Sequence, residues 1–161
     1  MTDFKNMDKK PETPKVGVAV FIEKAGKILM MFRDGSHCAG TWSLPGGHME
    51  IGETSLETCR REIKEEIGIK IDNIEKADFE NTIFFDEGLH YITLYYKAIW
   101  DETQELKNME PEKCKELRWV DAENPPNPVF SDLSKKVIVK YGEKQRDYEE
   151  KTWKELYFER G

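Results

Sequence analysis

The sequence predicts an α+β fold of the α/β/α type, a mixed β-sheet sandwiched between helices. Three observations carry that expectation. Short β-branched and aromatic runs recur on both sides of one strongly periodic helix. A second helical segment follows the last strand-like run, where it can cover the opposite sheet face. The 161 residues are enough for one domain with a real core and too few for two.

Residues 1–14 are polar and end in Pro11 and Pro14, which predicts a flexible arm. Residues 16–23 (VGVAVFIE) and 27–33 (KILMMFR) then read as two strands joined by a tight turn at Ala25-Gly26. Asp34-Gly35-Ser36 ends the second strand, and a short strand over 41–44 stops at Pro45-Gly46-Gly47. Over 54–67, Leu56, Cys59, Ile63 and Ile67 recur at helical spacing, with Gly68 at the C-cap position. Residues 77–85 and 89–100, separated by Asp86-Glu87-Gly88, predict a hairpin, and 116–120 a last short strand. After a loop at 124–128, residues 132–141 read as the second helix. The domain therefore spans 15–141. The extension 142–161 is densely charged, yet Trp153, Leu156 and Tyr157 share a helical face, so it reads either as a packing or dimerising helix or as a loose tail.

Charge and composition narrow the partners. A net charge of -7 disfavours a long nucleic acid, but a small anionic ligand is compatible with it if a metal ion supplies positive charge locally. No run approaches the roughly 20 apolar residues of a membrane helix. The N-terminus carries no apolar export signal, so a cytoplasmic protein is expected. Cys38, Cys59 and Cys114 are odd in number and widely spaced, so they read as reduced thiols and not as a disulfide frame or a zinc site.

The chemistry lies on the first helix. Glu62, Glu65 and Glu66 fall within roughly a 100° arc, beside the apolar stripe centred roughly 110° away. Like charges at this spacing destabilise a helix by about 0.2–0.5 kcal/mol per pair, so a hard divalent cation such as Mg²⁺ would favour retaining them. Taken alone, the three glutamates read more simply as a solvated acidic face. Arg61 is placed to pair with Glu57 or Glu65 and so to orient the cluster.

Context decides between those readings. Residues 47–69, GHMEIGETSLETCRREIKEEIGI, match the pattern G-x5-E-x7-R-E-U-x-E-E-x-G-U, where U is bulky and aliphatic. The fixed positions are Gly47, Glu53, Arg61, Glu62, Ile63, Glu65, Glu66, Gly68 and Ile69. This segment is identified as a Nudix box, and the chain resembles Nudix hydrolases over about residues 15–130. AGTWSLPGGHMEIGE, LHYITLYYKA and the run KNMEPEKC make it most similar to nucleoside triphosphate diphosphatases of the thiopurine-nucleotide and 8-oxo-dGTP-hydrolysing kind.

That resemblance implies Mg²⁺-dependent hydrolysis of a (d)NTP to the monophosphate and pyrophosphate, with Mn²⁺ as a substitute ion, in a homodimer. It implies Glu62, Glu65 and Glu66 as metal ligands together with the Gly47 carbonyl, and Glu65 as the group that also deprotonates the attacking water. Glu65, Glu66 and Arg61 form its catalytic set, and Glu53 braces the loop or reaches an outer metal. Arg33, Gly46, His48 and Thr93 are implied to meet substrate. Glu112, or Glu110 beside it, is the expected extra carboxylate from a distant loop. His37 and His90 lack metal-ligand spacing and are expected to be incidental, and Trp42 and Trp119 to be core or pocket wall. After Phe130 the chain departs from these relatives, which leaves base preference open. The alternatives are hydrolysis of another nucleoside diphosphate linked to X (a nucleotide sugar, ADP-ribose or capped RNA) and a catalytically silent Nudix-fold sensor.

Overall fold

The computed structural model describes residues 13–35 and 37–157, with side chains to 152. Seven strands and two helices follow in the order β1 (Lys15–Lys24), β2 (Lys27–Arg33), β3 (Trp42–Ser43), β4 (Gly46–His48), α1 (Ser55–Ile67), β5 (Glu75–Phe84), β6 (Leu89–Ile99), β7 (Cys114–Val120) and α2 (Asp132–Tyr157). The sheet order is β3-β2-β1-β6-β5, with β4 paired to β1 and β7 to β2. Among the paired strands of the described residues, β1 and β6 run parallel and the other pairs antiparallel, so the sheet is mixed as the sequence implied.

Strand alternation builds two cores. Val18, Val20 and Ile22 of β1 face Cys59, Ile63 and Ile67 of α1. Phe21 of the same strand, with Ile28, Met30 and Tyr95, faces Ile138 and Tyr141 of α2. The period of two along a strand sends neighbouring side chains to opposite faces, so one strand serves both layers. Tyr141 stacks on Phe21 with ring centroids 3.8 Å apart and donates a hydrogen bond to Glu23, which fastens α2 to β1.

Helix α1 begins as its sequence dictates. Thr54 is the N-cap, and its side chain and Glu57 form a reciprocal capping box; Gly68 closes the helix at φ 74°. One expected core position is different. Leu56 is 36% exposed, and Thr58 is fully buried in its place. The Thr58 hydroxyl donates to Glu53 Oε2 at 2.9 Å and to the Thr54 carbonyl at 3.1 Å, which satisfies its polar atom inside the core.

The strand hairpins are where the sequence placed them, with Ala25 and Gly26 both at positive φ in the first turn. Gly46–His48, which the sequence presented as a loop after a strand, is itself a short strand. It forms because β1 and β2 pair only at Glu23↔Ile28 and Lys24↔Lys27, which leaves the first half of β1 to take β4 through Gly17↔His48 to Ala19↔Gly46. Helix α2 continues through Gly142, so no break separates the expected domain from its extension. Most of the expected N-terminal arm and the Trp153, Leu156 and Tyr157 side-chain face lie outside the described residues. No helix among the described residues is long and apolar enough to cross a membrane.

Candidate active site

The separation of β1 from β2 opens a cleft of about 630 Å³, with acid at one side and aromatic rings at the other. Helix α1 sends Glu62, Glu65 and Glu66 into it, beside Gly46 and Gly47 of β4. Glu66 Oε2 accepts the Gly46 amide hydrogen at 2.9 Å. Glu62 lies over the Gly47 α-carbon so closely that an added Cβ would overlap all three atoms of its carboxyl group. At Gly46 an added Cβ would instead collide with the Val18 backbone. The double glycine is thus needed for two different close approaches.

Arg61 holds this arrangement together. It pairs with both Glu53 oxygens at 2.5 and 2.9 Å, with Glu62 Oε1 at 2.7 Å, and with the His48 carbonyl at 2.9 Å. Its contact with Glu65 is longer, at 3.4 Å. Glu57, the alternative partner read from the helical wheel, is taken by Thr54 in the capping box. Glu53 also accepts the Glu50 amide and the Thr58 hydroxyl, so it braces the loop entering α1. Its strong hydrogen bonds, Arg61 first, hold its carboxyl down at about 2.

The electrostatics of the cluster run the other way. Burial pushes the Glu66 carboxyl up to about 8, the Gly46 amide opposes this, and the Glu62 and Glu110 charges add to it. Glu62 is also raised, by burial first, with Arg61 opposing. Several carboxylates in one partly buried place favour a proton or a cation. The donor set is all oxygen, which suits a hard divalent ion. Glu50 also lines the cleft, and the carboxylate that the distant loop brings to it is Glu110 and not Glu112, which is exposed and outside it among the described residues. The reason lies in the backbone: the Met109 amide donates to the Glu66 carbonyl at 2.9 Å, and Lys107 to that of Ile67 at 3.2 Å. That docking carries Glu110, one residue on, to the end of α1.

Across the cleft, Arg33, His48 and Thr93 all line the wall with Gly46. Arg33 donates to the His37 carbonyl at 3.1 and 3.2 Å and lies 5.1 Å from the Phe130 ring centre. His48 stacks on Tyr91 at 5.4 Å, and burial and nearby positive charge lower its pKa, favouring the neutral ring. His37 is not incidental. It lines the cleft and packs edge-on against Phe84 at 5.1 Å and Phe130 at 5.4 Å. Its place comes from the loop turning back over β6, a tertiary fact without a spacing signal. Tyr91 and Tyr95 were legible in principle, since they alternate with Thr93 on one face of β6. His90 instead bonds Asn81 at 2.5 Å. Trp42 and Trp119 belong to the two cores.

Phe130 and Ser134 show why the divergent segment after the last strand matters. Phe130 is delivered by backbone bonds between Trp42 and residues 128 and 130, and Ser134 by the first turn of α2. Ser134 and Tyr95 both donate to the buried Glu80, at 3.1 and 2.8 Å, so the α2 side of the cleft rests on a polar network.

A family model described as the NUDIX domain matches residues 11–140. The chain belongs to the Nudix hydrolase family. It is 46% identical over 83 residues to the mouse protein named 8-oxo-dGDP phosphatase NUDT18, a match covering 52% of this chain and 24% of that protein. It is 32% identical over 101 residues to the 8-oxo-dGTP diphosphatase of Proteus vulgaris, covering 62% of this chain and 86% of that one. The crystal structure of a MutT NUDIX hydrolase from Burkholderia pseudomallei superimposes with a TM-score of 0.72 at 28% identity, covering 79% of this chain and 97% of that chain. The Nudix chain thus spans about a quarter of the length of its mouse relative. Its mixed sheet and two helices are the Nudix fold seen in the solved structure.

Proposed function

We propose that this Nudix protein hydrolyses nucleoside triphosphates, canonical or oxidised, to the monophosphate and pyrophosphate with the help of Mg²⁺. The observation that supports the reading best is the cluster of Glu62, Glu65, Glu66 and Glu110 in one cleft, opposed by an aromatic wall of Phe130, Tyr91 and His37. A phosphate chain fits the acidic side only with cations between them, and a base fits the rings. The Proteus vulgaris relative, named for a triphosphate, supports the same substrate class.

Glu62, Glu66 and the Gly47 carbonyl are the groups that would hold the ion, with Glu65 and Glu110 completing the set. Bound there, Mg²⁺ or Mn²⁺ would screen the phosphate charge and lower the pKa of a coordinated water. Glu65 is half-exposed, with a 3.4 Å contact to Arg61, and is the group assigned to take the proton from the attacking water. Water oxygen bonds to one phosphorus of the α–β anhydride, that phosphorus's bond to the bridging oxygen breaks in line, and the monophosphate and pyrophosphate separate. Arg61 keeps Glu62 and the His48 carbonyl in register, and Arg33 meets the phosphate chain from β2. Cytoplasmic location and a homodimer belong to the same proposal; three free cysteines among the described residues agree with a reducing compartment.

The test is product analysis with Mg²⁺ and a panel of dNTPs, 8-oxo-dGTP, 8-oxo-dGDP, nucleotide sugars and ADP-ribose. Pyrophosphate release from triphosphates is the expected result. Turnover restricted to diphosphates, sugars or ADP-ribose would overturn it, and sedimentation of the full chain checks the dimer.

A further inference from the structure

At the rim of the cleft the β2–β3 loop meets the β5–β6 hairpin, and three donors of different chemistry converge. His37 Nδ1 lies 2.7 Å from Glu87 Oε2, a partner 50 residues away in sequence. Cys38 Sγ lies 3.5 Å from His37 Nε2 and 3.8 Å from Nδ1. One donor atom from each of the three lies within 4.8 Å of the others. We propose that His37, Cys38 and Glu87 form a second metal site, selective for Zn²⁺ over Mg²⁺, that ties the loop to the hairpin.

Geometry and donor chemistry agree on the ion. A tetrahedral Zn²⁺ with Zn–N of about 2.0 Å and Zn–S of about 2.3 Å sets nitrogen and sulfur roughly 3.5 Å apart. Both His37 nitrogens stand near that separation from the sulfur. Thiolate and imidazole are soft and borderline donors, whereas the glutamate cluster across the cleft offers only oxygen. The two sites therefore sort ions by type.

Hydrogen bonds link the three side chains in a row, Cys38 Sγ with His37 Nε2 and His37 Nδ1 with Glu87 Oε2, and the restraints on Cys38 go further. Cys38 occupies the left-handed region at φ 52°, a conformation a non-glycine residue adopts at a cost. Thr41 Oγ1 clamps its carbonyl at 2.6 Å, and Arg33 clamps the neighbouring His37 carbonyl. These restraints bring the thiol to the imidazole. Phe84, Phe130 and Tyr91 pack around the His37 ring and limit its rotation. The other cysteines, Cys59 and Cys114, are buried and inaccessible to an incoming ion. Cysteine spacing gave no hint of this site because one ligand comes from a distant hairpin.

Three protein donors leave one coordination position for water or a ligand atom. Because His37 also lines the cleft, an ion here would fix the wall it shares with Phe130 and Tyr91.

The experiment titrates the full-length protein with Zn²⁺ in excess Mg²⁺, and with Co²⁺ as a spectroscopic substitute. One equivalent of Zn²⁺ should bind, and Co²⁺ should give a near-ultraviolet thiolate charge-transfer band. Cys38→Ser should abolish the band, Cys114→Ser should keep it, and His37→Asn and Glu87→Gln should each weaken Zn²⁺ binding by at least about tenfold. Near-ultraviolet circular dichroism of the metal-free variants checks that each is folded. Absence of stoichiometric Zn²⁺ in the presence of Mg²⁺ would overturn the proposal, as would a thiolate band that survives Cys38→Ser. Neither readout depends on nucleotide hydrolysis.

Discussion

The Glu66 carboxylate accepts the Gly46 amide hydrogen at 2.9 Å and so joins the last turn of α1 to β4. Its burial makes it the most perturbed carboxyl of the cluster, raised to about 8 in the metal-free protein.

That perturbation sets a pH dependence. With a folded-state pKa above the unfolded one, the native state holds more protons between about pH 4.5 and 8, so metal-free stability should fall as pH rises through that window. Denaturant melts at several pH values check this, and Glu66→Gln should flatten the slope. Binding of Mg²⁺ near pH 7 should release protons, measurable in weakly buffered titrations.

Glu66→Gln should also lower kcat by about two orders of magnitude or more while the protein stays folded. Steady-state kinetics beside a thermal melt decide it; an unchanged rate and an unchanged metal requirement would remove Glu66 from the ligand set.

The two glycines should fail differently. Gly47→Ala pushes only the Glu62 carboxyl aside, so metal affinity should drop with little loss of stability. Gly46→Ala meets the Val18 backbone, which cannot give way, and should cost about 1–3 kcal/mol of stability. Mn²⁺ titration and chemical unfolding of both variants separate the outcomes.

Arg61→Lys keeps the charge but cannot bridge Glu53, Glu62 and the His48 carbonyl together. Metal affinity or activity should fall by about 10- to 100-fold, as when an orienting partner of a ligand is lost. Comparing apparent Mg²⁺ affinity with kcat shows which.

Phe130→Ala should raise KM by about tenfold with a smaller effect on kcat, because base–aromatic stacking is worth about 1–3 kcal/mol. An equal loss for nucleotides of every base size would point to pocket collapse instead.

Much of this molecule was legible along the chain. Helix α1 carries its own start, stop and polarity: Thr54 and Glu57 cap it, Gly68 ends it, and the spacing of Glu62, Glu65 and Glu66 puts them on one side. These are interactions within four residues, and local sequence specifies them. The Ala25-Gly26 hairpin is of the same kind. What needed the tertiary structure was every choice among distant partners. The loop carboxylate in the cleft is Glu110 because residues 107 and 109 bond to the end of α1, and neither Glu110 nor Glu112 signals that by its neighbours. The core takes Thr58 in place of Leu56 because Glu53 and Thr54 satisfy its hydroxyl. His37 enters the aromatic wall, and meets Cys38 and Glu87, only because two loops far apart in sequence fold to one rim. Helical periodicity and fixed spacing are short-range and could be read residue by residue; strand partners and loop docking depend on which surfaces are left to bury, and the assembled sheet decides that.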